Sequence, residues 1–151
     1  MHTLVRRYIK TAIAFLMVGL AIGGWMIIQR ELRHQYPGPY EISAHTHAIF
    51  VGFVMMMILG VALWLFPRPE RNDNRYRPAL AEAAYWFVAI GTGTRVPGEL
   101  LRAFVEAAWL RWIVVVSGFL QIVGLALFFY TMWPRIRAAG SQIREAAGER
   151  F

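Results

Sequence analysis

The chain has 151 residues, 58% of them hydrophobic and 17% charged, with a mean hydropathy of +0.43. A soluble domain carries about a quarter charged residues, so this composition excludes one and points to the bilayer, where each crossing takes about 20 apolar residues. The net charge is +7 and there is no cysteine, which excludes structural disulfides, cysteine-held iron–sulfur clusters and haem attached through Cys-x-x-Cys-His. Nucleic-acid binding is not expected either, because the arginines form no continuous basic stripe.

Four apolar segments follow in chain order. Residues 11–28 carry no charge and read as the first membrane helix. Arg6, Arg7 and Lys10 ahead of them also suit a signal peptide, but the apolar run exceeds a signal's core and more membrane segment follows. The second helix is expected over residues 44–66, capped by the Ser43 hydroxyl and stopped by Pro67 and Pro69. The third is expected over 78–96, with Glu82 near one end and Arg95 near the other, broken by Pro97-Gly98. Residues 99–110 read as an amphipathic piece with Glu99, Arg102 and Glu106 on one face, lying in the outer interface or lengthening the next helix. The fourth helix is expected over 110–133, uncharged from Trp112 to Trp133 and stopped at Pro134, with a short polar cytoplasmic tail over 134–151.

These elements predict an all-α membrane protein, a single domain (1–151) folded as a four-transmembrane-helix bundle. Arg6, Arg7, Lys10, Arg68, Arg71, Arg75, Arg77, Arg135, Arg137, Arg144 and Arg150 fall on one side; Arg30, Arg33, Arg95, Arg102 and Arg111 fall on the other. The bias puts both termini in the cytoplasm, as expected of a multi-pass protein of the cytoplasmic (inner) membrane.

The chemistry lies in four histidines, His2, His34, His45 and His47. The last two form Ala-His-Thr-His-Ala at the mouth of the second helix. Ionisable groups at membrane depth are costly and face a partner or a site. On a regular helix, two positions apart means about 200° apart, so His45 and His47 do not chelate one metal. From His45 the face continues through Gly52, Met56 and Gly60, where glycines leave room for a flat ring or a close helix; from His47 it is bulky and apolar. His45 is therefore the better axial-ligand candidate, with His47 second and His34 a third. The residue reading alone leaves two alternatives open, interfacial histidines satisfied by water and backbone, and copper held with help from Met56.

Residues 43–68 read Ser-Ala-His-Thr-His-Ala-Ile-Phe-Val-Gly-Phe, then an apolar helix ending in Leu-Phe-Pro-Arg. This stretch resembles the second helix of the catalytic subunit of haem-copper oxidases and nitric-oxide reductases, and short four-helix proteins described as oxidase subunit I-like. In that family the first histidine of the motif ligates a low-spin haem, which here is His45. Gly23-Gly24-Trp25 and the stretch from Gly118 through Gln121 to Trp133 are similar to flanking helices of the family. The resemblance implies non-covalent haem b on His45, propionates directed to outer arginines with Arg95 foremost, and Trp25 and Phe53 along the ring; Arg95 is equally spaced to pair with Glu99. The family's binuclear centre needs further histidines on later helices, and none follows His47. The expectation is thus a haem b protein for electron transfer or for binding a diatomic gas (nitric oxide, carbon monoxide or oxygen), rather than a complete oxidase. Its partners would be lipid and a second copy or a respiratory protein. A copper-handling or assembly protein and a cofactor-free structural partner are the alternatives.

Overall fold

The computed structural model describes residues 3–66 and 77–136 and, beyond them, 143, 147 and 148. The expected stops at Pro67 and Pro69, His2, and most of the polar tail lie outside the described residues. Among those described there are four long helices and no strand. Helix α1 is Thr3–Arg33, α2 is Pro39–Leu65, α3 is Pro78–Phe104 and α4 is Ala108–Met132, followed by a 3-10 turn at Trp133–Arg135.

The helix ends depart from the hydropathy boundaries for local reasons. Helix α1 extends past the charge-free stretch at both ends, because arginine and lysine side chains at helix ends reach sideways into water while the backbone stays helical. Helix α2 starts five residues before the expected boundary. Gly38 is its cap, Pro39 supplies the fixed φ of a first turn, and the Gly38 amide donates to Glu41 Oε2 at 2.6 Å. Ser43 therefore lies inside the helix rather than at its end. Between His47 and Met55 the helix widens into a nine-residue π-helical stretch before narrowing again over Met56–Leu65; such stretches are rare and tend to mark sites. Helix α3 continues through Pro97 to Phe104, because the residues around the proline are held by packing: Val96, Gly98 and Glu99 are all buried. The expected amphipathic piece is thus the last turn of α3 and a short non-helical link over 105–107.

Neighbouring helices run antiparallel, as side-chain ties at both ends show. At one end Arg7 pairs with Glu82 at 2.6 Å, and Arg135 Nη2 donates to the carbonyls of Leu63 and Phe66 at 3.4 and 3.1 Å, capping the end of α2. At the other end Ser43 Oγ donates to Glu99 Oε1 at 2.9 Å and the Arg102 guanidinium stacks 4.4 Å from the Tyr40 ring centre. Near the first end lies the main apolar core, where Tyr8 meets Tyr85 and Phe128 edge-on at 5.0 and 5.9 Å over Met56, Leu59 and Val88. Three helical stretches among the described residues are long and apolar enough to cross a membrane, Thr3–Arg33, Pro39–Leu65 and Ala108–Arg135. Helix α3 is the exception, carrying Glu82, Arg95, Glu99 and Arg102.

Glycine sets how closely these helices approach. A Cβ on Gly91 would lie 2.9 Å from the Ser117 carbonyl oxygen, and one on Gly124 2.9 Å from the Val88 backbone nitrogen, so α3 and α4 touch backbone to backbone. Between α1 and α2, Gly52 receives the Phe15 ring, Gly60 receives Tyr8, and Gly19 receives Ile49. Gly24 faces open space. Gly91→Ala and Gly124→Ala should each destabilise by about 1–3 kcal/mol, the usual cost of overpacking. Gly24→Ala should be neutral. Reversible unfolding in mixed micelles measures all three.

Candidate functional site

The two motif histidines turn to different helices. His45 points at α1, where its Nδ1 lies 2.9 Å from the Gly19 carbonyl. A carbonyl oxygen only accepts, so Nδ1 carries the proton, and in the neutral imidazole Nε2 keeps a lone pair. That Nε2 has no hydrogen-bond partner among the described residues, and the ring is half-buried. The pocket depends on glycine: a Cβ on Gly23 would come within 2.9 Å of His45 Cε1.

His47 faces α3 instead. Its Nδ1 donates to the Ser43 carbonyl at 2.8 Å, with Ser43 Oγ at 3.3 Å and Glu99 Oε2 at 3.2 Å. Glu99 is only 2% exposed. Its Oε1 accepts from Ser43 Oγ and from Arg95 Nε, both at 2.9 Å. Glu99 Oε2 is within ion-pair reach of His47 but receives no hydrogen bond, because the imidazole N–H is aimed at the Ser43 carbonyl. From Arg95 the network crosses to α4: Nη1 donates to Gln121 Oε1 at 3.4 Å, and Gln121 Nε2 donates to Thr92 Oγ1 at 3.0 Å. Gly118 makes space for the guanidinium, since a Cβ there would sit 2.6 Å from Arg95 Nη1. The result is a buried polar chain, Ser43–Glu99–Arg95–Gln121–Thr92, joining α2, α3 and α4.

The remaining sequence candidates do not gather round one ring. Gly52 is filled by Phe15, Met56 is fully buried in the apolar core, and Phe53 packs against that core. The room expected along the face of His45, Gly52, Met56 and Gly60 is occupied by α1 itself, because glycine lets a helix approach as readily as a cofactor. Trp25 is 41% exposed and lies under the Arg33 guanidinium at 5.5 Å. Arg95 is engaged by Glu99 and Gln121 rather than directed outward. His34 sits in the exposed turn after α1, with a left-handed backbone at φ 53°. Among the described residues no group of three histidine, cysteine or acidic side chains could hold a metal ion. Sequence reasoning offers Glu99 as a partner for Arg95, as found at 2.9 Å, but misses its burial and the role of Gln121. Their signal is an acid and an amide within apolar helices, each requiring a partner. An open apolar groove of roughly 530 Å³ between α3 and α4, floored by Gly93, Pro97 and Gly98, offers no metal donor.

Residues 3–146 match the family model for cytochrome c and quinol oxidase polypeptide I. Neither curated proteins nor solved structures gave a match.

The buried pair makes a stability prediction. Removing one partner of a buried ion pair leaves the other uncompensated, at about 3–5 kcal/mol. Glu99→Ala should therefore destabilise by about that amount, whereas the double variant Arg95→Met/Glu99→Leu should recover most of the loss. A thermodynamic cycle from micelle unfolding reads the coupling.

Proposed function

The chain belongs to the cytochrome c and quinol oxidase polypeptide I family, and on that footing we propose that it is a multi-pass membrane haem b protein for electron transfer, with His45 on the iron. The observation that carries the reading is the hydrogen bond from His45 Nδ1 to the Gly19 carbonyl at 2.9 Å. A metal-binding histidine characteristically donates its other ring N–H to a carbonyl or carboxylate, which fixes the tautomer and aims the free nitrogen at the metal.

The residues fit such a group. An imidazole of fixed tautomer suits haem iron, and Gly23 leaves room for it to stand against α1. Arg30 and Arg33 at the outer end of α1 take over the propionate role first considered for Arg95, as both are exposed there. Bound haem b would supply one-electron ferric–ferrous chemistry. Copper would need several donors converging on one point, and the division of His45 and His47 between α1 and α3 speaks against that.

The membrane arrangement belongs to the same proposal. Helix α3 crosses as the fourth span, its charges neutralised internally by the Arg95–Glu99 and Arg7–Glu82 pairs. The arginine bias places both ends of the chain on the cytoplasmic side of the inner membrane.

The ultraviolet–visible spectrum of the protein purified in mild detergent tests the reading. A Soret band should be present, abolished in His45→Ala and retained in His47→Ala. Stoichiometric copper without a Soret band would replace haem by copper handling, and the absence of both would leave a structural membrane partner.

A further inference from the structure

The open groove of roughly 530 Å³ between α3 and α4 takes no part in the haem reading. Its walls run from Ile90 to Leu101 on α3 and from Trp109 to Leu120 on α4. At 1.5 Å of rise per residue, each wall is about 16 Å long. The hollow exists because Gly93 and Gly98 have no side chain and Pro97 has a compact one, while Ile113 and Val116 stand up on the other bank. No charged side chain lines it. Its two hydroxyls are turned back onto their own helices, Thr94 Oγ1 donating to the Ile90 carbonyl at 2.8 Å and Ser117 Oγ to the Val114 carbonyl at 3.0 Å. The polar exception stands at the rim beside the α3–α4 link. There the exposed indoles of Trp109 and Trp112 carry N–H donors that no group among the described residues engages.

Length decides the occupant. The hydrocarbon core of a bilayer is about 30 Å thick, so the groove matches the depth of one leaflet, with its indoles where tryptophan marks the boundary with water. A partner helix would need a hollow through the whole thickness. Ile90, half exposed, and Leu120 instead part the groove from a smaller hollow of roughly 280 Å³ over Ala83, Trp86 and Phe87. A hydrocarbon chain bends to fill a space that a rigid helix does not. Within a bilayer it is such dispersion contact, not removal from water, that decides what stays bound. Resting on the membrane arrangement proposed above, and independent of haem, we infer that the groove is a lipid site. One acyl chain of a phospholipid, from the leaflet beside the α3–α4 link, lies between α3 and α4, and its ester oxygens accept from the Trp109 and Trp112 indoles.

Native mass spectrometry of the full chain, released from micelles containing either phosphatidylcholine or phosphatidylglycerol, tests this. One retained phospholipid per chain is expected, to the same extent for both headgroups, since no charge lines the groove. Val116→Phe fills the groove from its exposed bank and should lower the retained fraction about tenfold, as the loss of roughly ten dispersion contacts implies. Val115→Phe adds the same bulk at an exposed position outside the groove and should leave retention unchanged, with both variants helical by circular dichroism. Equal retention in the two variants overturns the site. So does a preference for phosphatidylglycerol that Arg111→Gln removes, which puts the lipid on a surface cation instead. A lipid-free wild-type dimer that Val116→Phe breaks also overturns it, giving the groove to a second copy. The chain has no cysteine, so Val116→Cys in phosphatidylcholine vesicles separates this inference from the arrangement beneath it. Labelling by a water-soluble maleimide present on both sides overturns the membrane arrangement, whereas protection without retained lipid overturns the acyl-chain site alone.

Discussion

The hydrogen bond between His45 Nδ1 and the Gly19 carbonyl is the contact on which the reading of this protein depends. It does two things at once. It closes the half of the α1–α2 seam that holds Gly19 and Gly23, where the ring fits because Gly23 has no side chain. It also decides which imidazole nitrogen is protonated, and so which one is left to act. In a bilayer an unsatisfied ring N–H costs more than in water, so a polar residue on an apolar helix must take a partner from the neighbouring helix. At His45 that partner is backbone, the Gly19 carbonyl.

The polar chain on the opposite side of α2 follows the same rule with charged groups. Glu99 and Arg95 sit four residues apart on α3, with side chains 2% and 23% exposed, and neutralise each other. Ser43 donates to Glu99 Oε1 and Gln121 accepts from Arg95, which carries the network to α2 and α4 and leaves Glu99 Oε2 without a hydrogen bond. A buried pair of this kind contributes little net stability beyond its desolvation cost, but it penalises any arrangement that separates the partners. It fixes the register of three helices whose apolar faces alone would tolerate sliding. The π-helical stretch begins directly below this tie, at His47, so α2 presents one histidine to α1 and the other to α3 within a single turn.

Much of the fold was legible in the sequence, because long uncharged runs are strong signals. The division of the two histidines was legible as well, from the geometry of positions two apart on a helix. What failed was subtler. Ser43 read as a cap because serine before an apolar run is a cap signal, whereas Pro39 after Gly38 started the helix earlier and left Ser43 free to bind Glu99. Pro97-Gly98 read as a break, and that misplaced Glu99 on an exposed face; packing around Val96 and Gly98 carried α3 onward and buried the carboxylate. The glycine face of α2 was correctly seen as hollow, but hydropathy does not say whether a helix or a cofactor fills the hollow. The π-helical stretch has no sequence signature to read.

The tautomer of His45 decides the account, and nitrogen-15 NMR of ring-labelled histidine in the haem-free protein reads it directly. The expected result is Nδ1 protonated and hydrogen-bonded, with Nε2 resonating as an unprotonated, pyridine-type nitrogen, and a signal that shifts in Gly23→Ala, where the added methyl would come within 2.9 Å of His45 Cε1. An Nε2–H tautomer, or a ring averaging between the two forms, would contradict it, because the nitrogen assigned to iron would then not be held ready to bind.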